Sequence, residues 1–189
     1  MAQKIIGIYP GTLVMGYAII SIDNKKITIE SLGVIQLHQY EDHYEKLKKI
    51  YEKITYLVTT YQPDELAIEA PFHGKNVQSM LKLGRAQGVA IAAAMMQNIP
   101  VSEYAPRTIK QAITGKGSAT KEQIAAMLQH MLKIDTLPQF LDATDALSVA
   151  VCHYLRQNAI TSTPNKAKKT NKSNSWKNFV TNNPDKVKQ

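Results

Sequence analysis

The chain has 189 residues, 44% of them hydrophobic, and a formal net charge of +8. That content can bury one sizeable core, so one folded domain plus any tail is expected. No stretch approaches the ~18 apolar residues of a membrane span, no signal-peptide pattern opens the chain, and a single cysteine, Cys152, excludes an intrachain disulfide or a cysteine zinc cluster. A cytoplasmic protein is the default, with Cys152 read as a small buried apolar residue on a helix. The charge is uneven: residues 161–189 hold seven lysines and one acid, Asp185, which leaves only +2 for residues 1–160. A basic tail attracts polyanions without specificity and often serves only solubility.

In chain order, residues 4–9, 13–22 and 26–37 read as Ile/Val-rich strands, with Asp23-Asn24 as a tight turn. Spacing this short predicts an antiparallel meander. Tyr44, Leu47, Ile50, Tyr51, Ile54 and Leu57 recur at helical spacing, so 41–61 is a helix, ended by Gln62-Pro63-Asp64. Leu66-Ala67-Ile68-Glu69 is a short buried strand stopped by Pro71. A long helix over 76–97 is crowded with small residues, among them Gly84, Ala86, Gly88 and Ala90, which permits close helix packing. Residues 99–104 return as a strand, Ala105-Pro106 opens a helical turn through Ile113, and Gly115-Lys116-Gly117 breaks it. Helices follow over 120–132 and 142–157. Beyond Ile160 the Thr/Ser/Pro/Asn/Lys-rich composition is that of a disordered tail, interrupted by Trp176, Phe179 and Val180, which could dock as a short motif. The division expected is a domain over 1–158 and a basic tail over 159–189.

Meander strands followed by alternating helices and strands give an α/β fold, a mixed sheet flanked by helices. The ribonuclease H-like fold has this order, as do other three-layer α/β domains. Three acids stand out within it. Glu69 ends an apolar strand, and Asp142 and Asp145 lie one turn apart on one face of an Ala-rich helix. An aspartate at a helix start also caps free N–H groups, so one of the pair has a purely structural reading. Clustered carboxylates without His or Cys partners suit Mg²⁺ or Mn²⁺, and two such ions roughly 4 Å apart can drive phosphodiester hydrolysis. The bridging ligand would have to come from the end of the first strand, and position 9 there is tyrosine. The histidines, His38, His43, His73, His130 and His153, follow no zinc spacing and read as surface or core residues; His73, near Glu69, could also touch substrate.

At these residues the sequence resembles the RuvC family, the bacterial Holliday-junction resolvases (crossover junction endodeoxyribonucleases), over about residues 4 to 157. The blocks are Gly7-Ile8-x-Pro10-Gly11 with Gly16-Tyr17, Ala67-Ile68-Glu69, Lys75-Asn76 with Ser79 through Gly88, Glu103-Tyr104-Ala105-Pro106, Ala112 through Gly117, Lys121-Glu122-Gln123, and Asp142 through Leu147. The resemblance implies a ribonuclease H-like homodimer that cuts two symmetric strands of a four-way DNA junction with Mg²⁺, two ions per site, in recombination and repair. It also implies the RuvA and RuvB branch-migration complex as a partner.

The family's four acids fall on position 9, Glu69, Asp142 and Asp145. Phe72 matches an aromatic that stacks on a base at the junction centre, although a core aromatic is the alternative. Lys110 and Lys121 match lysines near the scissile phosphate. Lys121 stands near the start of a helix, against the usual charge preference there. Lys116 and Arg85 could add backbone contacts, while Arg85 is equally read as an exposed helix residue. The 76–97 helix would supply much of the dimer interface. A phenol, with a pKa near ~10, is neutral at pH 7 and cannot replace a carboxylate on Mg²⁺. Tyr9 therefore sets a second expectation beside cleavage: junction binding with impaired catalysis. A third class, a nucleic-acid module without nuclease ancestry, predicts no preference for junctions over duplex.

Overall fold

The computed structural model describes residues 2–71, 76–134 and 140–162, the last four by backbone alone. Phe72, His73, Lys75, Asp185, Trp176, Phe179 and Val180 lie outside the described residues. The chain divides into two units, Met1–Asn158 and Ala159–Gln189, and the sheet lies in the first. No described helix is long and apolar enough to cross a membrane.

Strands β1 (Gln3–Tyr9), β2 (Val14–Asp23) and β3 (Lys26–Gln36) form the meander, closed at Asn24 and Lys25, both with positive φ. Helix α1 (His43–Tyr61) is capped by Asp42, whose side chain accepts from Glu45 N–H, and stops at Gln62 in the left-handed conformation. Strand β4 (Glu65–Glu69) and helix α2 (Val77–Met95) follow, then β5 (Val101–Tyr104) and helix α3 (Pro106–Thr114). Helix α4 (Lys121–Leu132) starts with a full capping box between Thr120 and Gln123. Helix α5 (Leu141–Ser162) runs beyond the expected end at Gln157. The sheet order is β3-β2-β1-β4-β5, antiparallel through the meander and parallel from β1 to β4 to β5. This is the expected ribonuclease H-like mixed sheet.

Side chains alternate across a strand, and β1 obeys that rule closely. Ile6 and Ile8 join one core with Ile50, Ile54 and Leu57 of α1 and with Ala86, Ala90 and Ala93 of α2. Ile5, and Tyr9 at the margin, point to the other core, with Ile109 of α3, Ile124 of α4 and Ala146 and Ala150 of α5. Gly7 falls between Ile5 and Tyr9 on that second face. There α5 lies directly on strand backbone: a Cβ on Gly7 would overlap Ala146 O and sit 2.7 Å from Ala150 N. Gly16, paired with Tyr9 across the β1–β2 ladder, would likewise overlap the Asp142 carbonyl. Ala18 pairs with Gly7, so three small residues make the seat for the helix.

The small residues of α2 are split between two faces. Ala86, Ala90, Ala93 and Ala94 are buried, whereas a Cβ on Gly84 or Gly88 would meet nothing within 4 Å. Cys152 is fully buried on α5, as expected, and burial pushes its thiol up to about 11.

Gly7→Ala tests the seat. Overpacking against helix backbone leaves no soft atom to give way, so we expect a loss of about 3 kcal/mol in urea unfolding, against less than roughly 0.5 kcal/mol for Gly88→Ala on the open face.

Candidate active site

Parity carries the first two site residues to one place. Ile8 pairs with Ile68 in the parallel β1–β4 ladder. The next residue of each strand, Tyr9 and Glu69, therefore turns toward α5 at the carboxyl ends of the strands. The seat on Gly16 sets the first turn of α5 against the same strand ends, with Asp142 and Asp145 on it. Lys121 enters as the first residue of α4, and Lys110 from the middle of α3.

Tyr9 stands between two hollows. One is a cavity of about 200 Å³ lined by Tyr9, Glu69, Lys110, Lys121 and Asp145. The other is an open cleft of about 710 Å³ whose walls include Tyr9 and Asp142. Tyr9 thus lines both spaces, sharing the first with Glu69 and Asp145 and the second with Asp142. Lys121 Nζ donates to Asp145 Oδ2 at 2.6 Å and lies 5.3 Å from the centre of the Tyr9 ring, a cation–π contact.

The electrostatics follow from that enclosure. Burial, then the neighbouring Asp145, pushes Glu69 up to about 7, opposed by Lys121 and Lys110. Burial also raises the Tyr9 phenol, against the pull of Lys121 and with the push of the three acids. Tyr9 is therefore neutral at pH 7. Lys121 is raised by its bond to Asp145 and by the surrounding acids, despite partial burial.

A pair of divalent cations sharing a ligand at position 9 does not fit this donor set. Among the described residues, no three Asp, Glu, His or Cys side chains come close enough to hold one ion together. A neutral phenol stands at position 9, and the Lys121 ammonium already pairs with Asp145.

The remaining expected residues are dispersed. Lys116 lines a separate pocket between α3 and α4 with Met127 and His130. Arg85 is exposed on α2, close enough to His43 of α1 to depress its pKa, and lines neither hollow at Tyr9. Sequence reasoning missed a buried network beyond the site. His153, only 2% exposed, bridges Tyr104 Oη at 2.7 Å and Glu65 Oε2 at 2.8 Å, and Gln157 donates to both Glu65 oxygens. The available signal was the 145-149-153-157 spacing along one helix face, which placed His153 in line with Asp145.

An acid-lined site at the end of the first strand of a ribonuclease H-like sheet defines a nuclease-type α/β domain. Comparison with known proteins narrows that class. The family model "Crossover junction endodeoxyribonuclease RuvC" matches residues 5–153. A protein of that name from Cytophaga hutchinsonii is 55% identical over 97% of this chain and 88% of its own length. One from Porphyromonas gingivalis is 51% identical over 97% and 96%. Thermus thermophilus RuvC, solved in complex with a Holliday junction substrate, superposes with a TM-score of 0.78 at 26% identity, over 84% of this chain and 97% of that one. The chain belongs to the RuvC family of crossover junction endodeoxyribonucleases.

The raised Glu69 gives a testable pH dependence. Its folded carboxyl keeps a proton up to about 7, whereas the unfolded one loses it near 4.5. Stability therefore falls as pH climbs between those values, by about 3 kcal/mol at most. In chelator, Glu69→Gln should match the native chain in urea unfolding near pH 4 and exceed it near pH 8.

Proposed function

We propose that this chain is a crossover junction endodeoxyribonuclease that binds four-way DNA junctions as a homodimer and cuts two symmetric strands in recombination and repair. The observation that carries this reading is the convergence of Glu69, Asp145, Lys110 and Lys121 on one cavity beside Tyr9, with Asp142 in the adjoining cleft. Membership of the RuvC family supports it, as does the Thermus relative solved with a Holliday junction substrate. The lysines would hold the scissile phosphate and offset charge developing on it. Phe72 would stack on an unpaired base at the crossover, and Lys116 and Arg85 would contact the DNA backbone. In this reading 1–158 is the nuclease domain and 159–189 a basic tail with nonspecific affinity for polyanions. RuvA and RuvB supply branch migration, and the setting is cytoplasmic.

Family membership implies dependence on a divalent metal. We propose Mg²⁺, replaceable by Mn²⁺, with Glu69, Asp142 and Asp145 as the metal-holding residues; the family's pair of ions would need a further carboxylate, at position 9. The chain carries tyrosine there, and its ring stands where the four donors would share ions. That observation favours a second reading: the chain binds junctions and cleaves them poorly. Loss of the fourth acid also lowers repulsion among the other three, which lets the fold keep the substitution.

The two readings part on one measurement. With a mobile four-way junction and Mg²⁺ or Mn²⁺, the native chain and Tyr9→Asp are compared for symmetric nicks. On the second reading Tyr9→Asp nicks at least about a hundredfold faster than the native chain, in the range by which removal of one charge-stabilising group slows an enzyme. Equal nicking by the native chain would sink the second reading. No nicking by either, together with no preference for junction over duplex, would overturn the first.

A further inference from the structure

Helix α4 has two apolar faces, and the core uses only one of them. Ile124 and Leu128 are buried in the core shared with α5. Ala126, Met127 and Met131 turn outward, the two methionines 36% and 37% exposed. Ala126 and Met127, with Ala119 ahead of the helix, line a groove of about 560 Å³ between α3 and α4. An exposed methionine gains nothing from water, and its flexible thioether chain moulds to an apolar partner. The polar lining presents donors. Lys116 supplies an ammonium and His130 at least one imidazole N–H. Gln123 Oε1 accepts from Thr120 N–H at 3.0 Å, which leaves the amide N–H groups for a ligand. The facing wall is held in shape by Thr114 Oγ1, which donates to Lys110 O at 2.8 Å and accepts from Lys116 N–H at 3.2 Å. No acid is among the described residues that line the groove.

We propose that this groove is a docking site for an acidic peptide segment of a partner protein. An apolar side chain of the peptide lies on Met127 and the two alanines. A carboxylate beside it takes the donors of Lys116, Gln123 and His130. Charge complementarity selects this occupant, since a lining with an ammonium and no carboxylate suits an anion. The apolar floor selects a peptide over DNA, because a DNA backbone offers anions but no aliphatic side chain to bury. The groove shares no lining residue with either hollow at Tyr9, so docking does not depend on the nuclease reading. Lys116 alone would serve both ligands.

The test measures fluorescence anisotropy of the full chain with a labelled Asp-Asp-Asp-Leu-Phe peptide. The controls are Asp-Asp-Asp-Ser-Ser, which keeps the charge, and Lys-Lys-Lys-Leu-Phe, which keeps the apolar pair. The acidic apolar peptide should bind at least about tenfold more tightly than either control, as loss of an anchor requires. Its binding should weaken as salt rises. Met127→Asp should weaken it at least about tenfold and leave the affinity for a four-way junction unchanged. His130→Glu, at a second exposed position, should act in the same direction, and urea unfolding checks that both variants are folded. Equal binding of Asp-Asp-Asp-Ser-Ser, or unchanged peptide binding in both folded variants, overturns the site. A matching loss of junction affinity in both variants also overturns it and assigns the groove to DNA. So does a drop in their oligomeric state on gel filtration, which assigns the groove to a second copy of this chain.

Discussion

The contact on which the rest depends is the direct seating of α5 on strand backbone at Gly7 and Gly16. A side chain at either place would stand the helix off by its own radius, and the first turn of α5 would lose its position over the end of β1. Ala146 and Ala150 complete the fit from the helix side. The seat also explains how a repulsive cluster can exist at all. Glu69 and Asp145 meet in one cavity because packing holds them there, burying fully apolar neighbours such as Leu147, Val149 and Val151, and burial of this kind outweighs the cost of an unfavourable charge pair.

The opposite end of the same helix is stitched rather than seated. Glu65 begins β4 and Glu69 ends it, four residues on, a span of about 13 Å at strand rise. Asp145 and His153 lie eight residues apart on α5, about 12 Å at helical rise. The strand and the helix therefore match in length. Where one pair of ends repels, the other is joined through His153 and Gln157 to Glu65, with Tyr104 and Gln3 adding further bonds. Glu65 lies below its ordinary pKa because those bonds outweigh its burial, the reverse of Glu69. One strand thus carries two glutamates whose different surroundings give them opposite chemistry.

Much of the fold was legible because its signals are local. Alternation of Ile and Val gave the meander, and spacing of Tyr44 through Leu57 gave α1. The helix end at Ser162 was not legible, since the tail composition argues for disorder and backbone hydrogen bonds carried the helix on. Glu69, Asp142 and Asp145 could be named from sequence because a charge in an apolar run is conspicuous. The bonds of His153 to Tyr104 and Glu65 could not, because a histidine on an apolar helix face gives no sign of its partners. Nor could the salt bridge from Lys121 to Asp145, which joins residues 24 positions apart.

The sequence by itself determined the family, the order of elements along the chain and the tyrosine at position 9, all of which are matters of residue type and spacing along the chain. Only the tertiary structure decided what that tyrosine does. Strand parity turns it toward α5, and the seat on Gly16 brings Asp142 to its edge. Tyr9 then lines both the cavity of Glu69 and Asp145 and the cleft of Asp142, while Lys121 lies over its ring. Those relations are set by distances across four elements, and a linear pattern contains no such distances.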